Sequence, residues 1–195
     1  SKAFDTIDHG TLLTKLDRYG IRGNANNLIR SYLSNRTQYT EILGEKSESL
    51  TIKYGVPQGS VLGPLLFLIY INDIANSSNL GTFVLFADDT NIFVEGATIE
   101  EAYEKGNKLL CSIQKYMTLN KLHINMSKCC YIHFKPYGNK HPEPPETCKL
   151  YIDSFPIKKT RATKFLGVVI DEDLSWQPHI TCLLYTSDAA DDLWC

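Results

Sequence analysis

Two adjacent aspartates, Asp88 and Asp89, separate two short apolar segments and constrain the fold more than any other feature. Residues 82–87 and 90–95 each have the length and the aromatic and β-branched content of a strand. Together they predict a tight hairpin with both carboxylates at its tip. Desolvation and mutual repulsion make such a pair costly unless a cation neutralises it, and carboxylate oxygens suit Mg²⁺. The alternative is a solvated Asp-Asp turn, because aspartate is a common turn residue.

The segment 55–67 reads Gly-Val-Pro-Gln-Gly-Ser-Val-Leu-Gly-Pro-Leu-Leu-Phe. Its glycines and prolines give a rigid backbone that a ligand can approach closely at the start of a helix, a position that favours phosphate or a nucleotide. Gln58 adds both a donor and an acceptor. Ser60 is the expected N-cap of a helix that runs to about residue 75. A plain capping loop is the alternative, and it explains Ser60 and Pro64.

The remaining hydrophobic periodicity predicts a mixture of helices and strands. Amphipathic helices are expected over residues 9–19, 24–34 and 98–120, the last opened by a Thr98–Glu101 capping box. Further strands are expected over residues 37–43, 50–55, 122–125, 129–134, 150–152 and 165–170. Because helices and strands do not alternate strictly, the fold class is α+β.

Composition excludes several classes of protein. The chain has 20 Lys and Arg against 22 Asp and Glu, so its charge by itself does not indicate a nucleic-acid partner. The sequence shows no signal peptide and no transmembrane segment, which predicts an intracellular protein without a membrane partner. Six cysteines without a CxxC pair indicate reduced thiols. A zinc site is the alternative, although its candidate ligands lack finger spacing: His123, Cys129, Cys130, His133 and Cys148.

Residues 182–195 differ in character from the rest of the chain. They begin Cys-Leu-Leu-Tyr-Thr-Ser-Asp-Ala-Ala-Asp-Asp and resemble the in-frame translation of a sequencing adapter. The segment carries three acids and no Lys or Arg, so without it the chain has 20 basic against 19 acidic residues. We expect a non-native tail here, and a genuine acidic C-terminus is the alternative.

Five stretches, in order, resemble the motifs of reverse transcriptases from non-LTR (LINE-like, jockey-type) retrotransposons. They are residues 1–9, 55–73, 86–89, 122–125 with Lys128, and 164–168 with Asp171 and Trp176. The resemblance implies a polymerase palm, an incomplete ferredoxin- or RRM-like antiparallel sheet backed by helices, with fingers and thumb largely missing. It divides the chain into a palm (1–135), a Pro-rich loop (136–148), the end of the palm with the primer-grip region (149–181) and the tail. Group II intron maturases and viral RNA polymerases are alternatives, but the Phe-Ala-Asp-Asp tip and the Ser-Lys-Ala-Phe-Asp-Thr start favour the LINE-like group.

The same resemblance implies roles for individual residues. These are metal binding and catalysis for Asp88 and Asp89, stabilisation of the leaving pyrophosphate for Lys128, exclusion of ribonucleotides for Phe4, nucleotide contact for Gln58 and Gly59, and primer grip for Phe165, Leu166 and Gly167. The implied activity is that of an RNA-directed DNA polymerase, a nucleotidyltransferase of a transposable element. Its implied partners are an RNA template, a DNA primer and dNTPs, with two Mg²⁺ ions and no small-molecule cofactor, in the nucleus or the cytoplasm.

The resemblance also carries an expectation about activity. In the family, the first metal-binding aspartate precedes the Ser-Lys-Ala-Phe-Asp stretch by two positions, which places it before Ser1. We therefore expect the isolated 195-residue chain not to extend a primer. The alternative function is that of a decayed or repurposed, non-catalytic RNA-binding remnant of the same element.

Overall fold

The computed structural model describes residues 3–57, 59–134 and 144–191 of the chain. The chain divides into two compact units, Ser1–Ile124 and Asn125–Cys195. Gln58 and most of the Pro-rich loop lie outside the described residues. Within the described ranges, no helix combines the length and the apolar character needed to cross a bilayer.

The N-terminal unit mixes helices with short hairpins. After a 3₁₀ turn at Ala3–Asp5, its elements are α1 (His9–Arg18), α2 (Asn24–Leu33), β1 (Thr37–Gln38), β2 (Glu41–Ile42), β3 (Glu45–Lys46), β4 (Leu50–Thr51), α3 (Leu62–Ile71), a 3₁₀ segment (Asn72–Ser77), β5 (Thr82–Phe86), β6 (Asp89–Phe93) and α4 (Ile99–Leu119). The predicted capping box is confirmed: Thr98 Oγ1 accepts from the Glu101 amide at 3.2 Å, and the Glu101 carboxylate accepts from the Ala97 amide at 2.8 Å.

One hydrophobic core joins the helices of this unit. Its fully buried members come from α1, α2, α3, α4 and the turns beside them: Ile7, Leu12, Leu16, Leu33, Leu66, Tyr70, Ile74 and Leu109. The inner face of the β5–β6 hairpin packs against this core through Phe83, Leu85 and Ile92. Because α3 is apolar on all sides, it fills the core with one face and leaves other apolar residues exposed, including Leu65 at 51% and Leu68 at 46%.

The ammonium of Lys15 is buried where α1, α4 and the segment after α3 meet. It donates to the Asp73 carboxylate at 2.5 Å and to the Tyr70 carbonyl at 2.7 Å. The Tyr116 hydroxyl donates to the same carboxylate at 2.6 Å. Burial lowers the pKa of Lys15, although Asp73 opposes the shift, and burial also raises the pKa of Tyr116. This cluster ties three elements together through polar contacts in the interior.

The strands form two-stranded sheets, and the described residues contain no larger sheet. In the N-terminal unit, β1 pairs with β4, β2 with β3 and β5 with β6, all antiparallel. The strands predicted over residues 37–43 and 50–55 therefore pair only through β1 and β4, because β2 pairs with β3 instead. Mixed helix and antiparallel sheet confirm the α+β class, and the single palm sheet stays a prediction.

The C-terminal unit contains a 3₁₀ turn (Met126–Lys128), β7 (Cys130–Tyr131), β8 (Tyr151–Ile152), β9 (Phe155–Pro156), β10 (Lys158–Lys159), β11 (Ala162–Phe165), β12 (Val168–Asp171) and α5 (Gln177–Asp191). Two pairs are antiparallel, β8 with β9 and β11 with β12, whereas β10 runs parallel to β7. The continuous strand predicted over residues 165–170 is wrong. Leu166 and Gly167 adopt φ of +48° and +87° and turn the chain between β11 and β12. The strand predicted over residues 122–125 is also wrong, because these residues join no ladder.

Candidate functional site

The Phe4 turn and the start of the 55–60 loop are joined by backbone hydrogen bonds. The Val56 amide donates to the Phe4 carbonyl at 2.9 Å, and the Gly55 amide donates to the Ile7 carbonyl at 2.8 Å. We call this contact, formed by Phe4, Ile7, Gly55 and Val56, the Gly55 junction. The structure thus brings together two of the stretches that the sequence places about fifty positions apart.

Gly55 is required at this junction for two reasons. Its φ is +84°, in the left-handed region that favours glycine. A Cβ at this position would lie 2.8 Å from the Asp5 Cα and 2.9 Å from the Phe4 carbonyl oxygen. Because both are backbone atoms, no side-chain rotation would relieve the overlap. The close approach of the two segments therefore depends on the absence of a side chain.

The first turn of α1 also holds the junction, a role that sequence reasoning missed. His9 Nε2 lies 2.7 Å from the Gly55 carbonyl oxygen, so it donates to that carbonyl. Asp8 forms a β-bridge with Tyr54 and caps α1 by accepting from the Thr11 amide at 2.9 Å. Local sequence signals identify a cap, but they do not identify a partner 46 residues away.

Asp8 is held in its charged form. The Lys121 ammonium lies 2.7 Å from the second carboxylate oxygen of Asp8. This hydrogen bond, with those from Thr11, lowers the pKa of Asp8 to about 2, although partial burial opposes the shift. The ion pair joins the start of α1 to the residues after α4. Asp8, next to the junction, is thereby held both by Thr11 of α1 and by Lys121 after α4.

The residues predicted to contact a nucleotide occupy the junction and the loop beyond it. The Phe4 ring packs on Phe67 of α3, with ring centroids 4.8 Å apart. Gly59 adopts φ of +79°, and no atom lies within 4 Å of the place where a Cβ would be. Ser60 Oγ accepts from the Gly63 amide at 3.0 Å and donates to the Pro57 carbonyl at 2.7 Å. The N-cap of α3 is Val61, one residue after the predicted Ser60, and it makes no side-chain cap hydrogen bond; α3 ends at Ile71 rather than near residue 75. Gln58 is outside the described residues.

Asp88 and Asp89 lie at the tip of the β5–β6 hairpin, as predicted. The turn consists of Ala87 and Asp88, one position earlier than expected, and Asp89 begins β6 opposite Phe86. Ala87 adopts φ of +50°, which costs about 1 kcal/mol for a residue with a Cβ. Both carboxylates are exposed, and neither has a hydrogen bond or ion pair with any residue that the structure describes.

The outward face of this hairpin carries three exposed apolar side chains. Val84, Phe86 and Phe93 point away from the core, and the Phe86 side chain is 58% exposed. Cross-strand register places Asp89 beside Phe86 on this face. The two carboxylates therefore stand at the end of a surface that carries exposed apolar side chains.

The donor set at the tip fits a hard divalent cation. Asp88 and Asp89 offer carboxylate oxygens that no hydrogen bond or ion pair occupies in the described part of the chain. Across the described ranges, no group of three or more His, Cys, Asp or Glu side chains is placed to hold a metal ion. Two carboxylates suit a magnesium ion that completes its shell with water and phosphate oxygens. The zinc alternative receives no support from the described cysteines and histidines.

The other predicted site residues belong to the C-terminal unit. Lys128 ends the 3₁₀ turn that Asn125 caps, and its ammonium forms no ion pair with a described residue. Phe165 ends β11 and is half-buried, while Leu166 and Gly167 form the exposed tip of the β11–β12 hairpin. α5 packs on β12, where the His179 ring nitrogen Nδ1 accepts from the Val169 amide at 3.4 Å.

Comparisons with known proteins agree with the motif order. A family model described as reverse transcriptase (RNA-dependent DNA polymerase) matches residues 1–170. The RNA-directed DNA polymerase from mobile element jockey of Drosophila melanogaster is 28% identical over 187 residues, 92% of this chain and 20% of the relative. The jockey polymerase of Drosophila funebris is 29% identical over 192 residues, 95% of this chain and 20% of the relative.

A third relative is the probable RNA-directed DNA polymerase from transposon X-element of Drosophila melanogaster. It is 29% identical over 184 residues, 92% of this chain and 20% of the relative. The chain thus spans about one fifth of the length of these curated relatives. The resemblance to polymerases of non-LTR retrotransposons is confirmed. The chain belongs to the reverse transcriptase (RNA-dependent DNA polymerase) family.

Proposed function

We propose that this chain is part of an RNA-directed DNA polymerase of a non-LTR retrotransposon, which extends a DNA primer on an RNA template with dNTPs. The observation that carries the proposal is the hairpin tip with two exposed carboxylates, Asp88 and Asp89, that no described residue neutralises. By contrast, Asp8 and Asp73 each form an ion pair with a lysine. Two adjacent unpaired charges beside an apolar face suit a cation and the phosphates that it binds.

Asp88 and Asp89 would hold Mg²⁺ in the complete enzyme. When bound, Mg²⁺ supplies charge stabilisation to the attacking and leaving oxygens of a phosphoryl transfer. The exposed position of both carboxylates at a turn leaves them accessible to a nucleotide with its phosphates. Ala87, strained at φ of +50°, sets the direction in which the turn presents Asp88.

The remaining residues would bind and orient the substrates. Phe4, packed on Phe67, is a rigid aromatic surface suited to exclude the 2′-hydroxyl of a ribonucleotide. Gln58 and Gly59 follow the Gly55 junction and would contact the incoming nucleotide. Lys128 would offset charge on the leaving pyrophosphate, and the tip formed by Phe165, Leu166 and Gly167 would hold the primer end.

A polypeptide of these 195 residues should not extend a primer by itself. Two-metal phosphoryl transfer uses several carboxylates around the reacting phosphate. In the described part of the chain, the two aspartates at the tip are not joined by a third acidic, histidine or cysteine ligand. Mg²⁺-dependent incorporation of dNTPs by the purified chain would contradict this.

Primer extension by the longest reading frame that contains these residues tests the proposed function. We expect Mg²⁺-dependent DNA synthesis on an RNA template, and we expect Asp88→Asn or Asp89→Asn to reduce it at least about a hundredfold, because each removes a metal ligand. Asp17→Asn is the matched control, since Asp17 is an exposed carboxylate on α1 with only a 3.7 Å ion pair to Arg22.

The outcomes separate the two functions of the same element. Synthesis that survives both substitutions at the tip would contradict the metal-binding role. A full-length protein that binds the RNA template but incorporates no dNTP would support the non-catalytic RNA-binding remnant. Loss of activity in Asp17→Asn as well would show that surface charge, rather than metal binding, explains the effect.

A further inference from the structure

We propose that His9 is a positioning residue for nucleotide binding: its ring fixes the Gly55 carbonyl and thereby the start of the loop that contains Gln58 and Gly59. The inference rests on the proposed function, because it concerns the same nucleotide-binding loop. It adds a residue that the motif assignments leave without a role. The direct observation is the 2.7 Å contact between His9 Nε2 and the Gly55 carbonyl oxygen.

The contact lies where the loop leaves the Gly55 junction. The Gly55 amide donates to Ile7 and the Val56 amide donates to Phe4, so both amides at the entrance of the loop point to the N-terminal segment. Without His9, the Gly55 carbonyl would lose the one side-chain donor that the described residues give it. With His9 in place, the Gly55 amide, the Gly55 carbonyl and the Val56 amide all have hydrogen-bond partners, and these three contacts define the path of the backbone toward Pro57.

His9 is itself held rigidly. It is the first residue of α1, and the preceding Asp8 is fixed by its cap to Thr11 and its ion pair with Lys121. The Asp8–Tyr54 bridge brings the residue before Gly55 into the same arrangement. Because the backbone of His9 cannot shift without disturbing these contacts, its ring transmits the position of α1 to the loop.

Loss of the His9 contact should affect nucleotide binding more than the chemical step. A loop held in one conformation binds a nucleotide without first losing conformational freedom. Loss of this fixed conformation therefore weakens nucleotide binding. The metal-binding carboxylates lie on a different element, the β5–β6 hairpin. Removing the His9 donor should therefore raise the KM for dNTPs and change kcat little, whereas a purely structural defect lowers the active fraction and hence kcat.

Three variants test the inference. His9→Phe removes the donor and keeps an aromatic ring, His9→Gln restores a side-chain N–H donor, and His123→Phe is the control at an exposed histidine of the same unit. In the 195-residue chain, we expect amide hydrogen exchange at Gly55 and Val56 to accelerate about fivefold in His9→Phe, the effect of losing one hydrogen bond, and to recover in His9→Gln.

The enzymatic arm uses the polymerase from the complete reading frame. There we expect His9→Phe to raise the KM for dNTPs about fivefold, with His9→Gln near the wild-type value. Unchanged exchange at Gly55 and Val56, or an unchanged KM in an enzyme that depends on Asp88, would overturn the inference. If the complete protein makes no DNA, the proposed function fails, and the exchange experiment still decides whether His9 holds the loop.

Discussion

The Gly55 junction and the Asp88–Asp89 tip are both parts of the sequence motifs, yet their environments are opposite. At the junction, backbone amides and the side chains of His9 and Asp8 have partners within 2.9 Å. At the tip, two carboxylates are exposed and meet no polar partner among the described residues. The junction therefore has its polar partners among the described residues, whereas the tip leaves its two carboxylates open to solvent.

The difference separates two reasons for which a motif residue is needed. Residues of the junction are needed because the fold fails locally without them, as the close approach at Gly55 illustrates. Asp88 and Asp89 contribute repulsion rather than attraction to the isolated chain. A substitution at the junction should therefore affect stability, and a substitution at the tip should affect ligand binding and leave stability unchanged.

The largest effect on stability is expected for Gly55→Ala. The new Cβ would overlap backbone atoms at 2.8 and 2.9 Å and would also be strained at φ of +84°. The two contributions should lower the free energy of unfolding by about 3 kcal/mol, measured by urea denaturation. Gly44→Ala is the matched control, since φ is +86° but no atom lies within 4 Å, and it should lose about 1 kcal/mol. Equal losses in the two variants would contradict the close approach.

A smaller, pH-dependent effect is expected for Asp8→Asn. Asparagine keeps the cap of α1 but loses the charge that pairs with Lys121, which should reduce stability by about 1 kcal/mol at pH 6. The folded pKa of Asp8 is lowered from 3.8 to about 2, so its stabilisation is present above pH 3.8 and is lost as the pH falls through about 2. The difference between variant and wild type should shrink over that window in urea titrations. A difference that stays constant from pH 6 to about pH 2 would argue against the ion pair.

The smallest effect on stability is expected at the tip. Asp88→Asn and Asp89→Asn should each change the free energy of unfolding by less than about 0.5 kcal/mol, because no partner among the described residues is lost. Mg²⁺ should raise the melting temperature of the wild-type chain more than that of either variant, since only the wild type keeps both ligands. Destabilisation as large as that of Gly55→Ala would remove the distinction between the two regions.

Much of the fold follows from local sequence patterns. Helices α1, α2 and α4 lie within one residue of their expected ends, because apolar periodicity and capping residues act locally. Local patterns do not predict the break at Leu166, because a leucine at φ of +48° is unfavourable and the apolar residues around Gly167 favour a continuous strand. For the same reason, the turn observed at Ala87 and Asp88 lies one position before the predicted one. A residue with a Cβ adopts positive φ at these turns because the pairing of the two flanking strands requires it, and this pairing is not visible in the local sequence.

The candidate site likewise contains residues that local sequence signals predict and residues that they do not. The hairpin tip with Asp88 and Asp89 was predictable, because two acids between apolar strands are a local signal. The role of His9 was not, because its partner Gly55 is distant in the sequence and becomes adjacent only when the Phe4 turn packs against the loop. The roles of Phe4, Gly59, Lys128 and Leu166 stay predictions, since they concern molecules outside the chain.

The buried cluster around Lys15 has a consequence for how related chains diverge in sequence. Replacing Lys15 alone leaves the partly buried Asp73 carboxylate and the Tyr116 hydroxyl without their cation, and replacing Asp73 alone leaves the buried Lys15 ammonium without its counter-ion. Replacing both with apolar residues of similar volume removes the two charges together and is often neutral. A single substitution at position 15 or 73 should therefore be destabilising and a joint substitution tolerated, so the two positions should change in pairs among related chains.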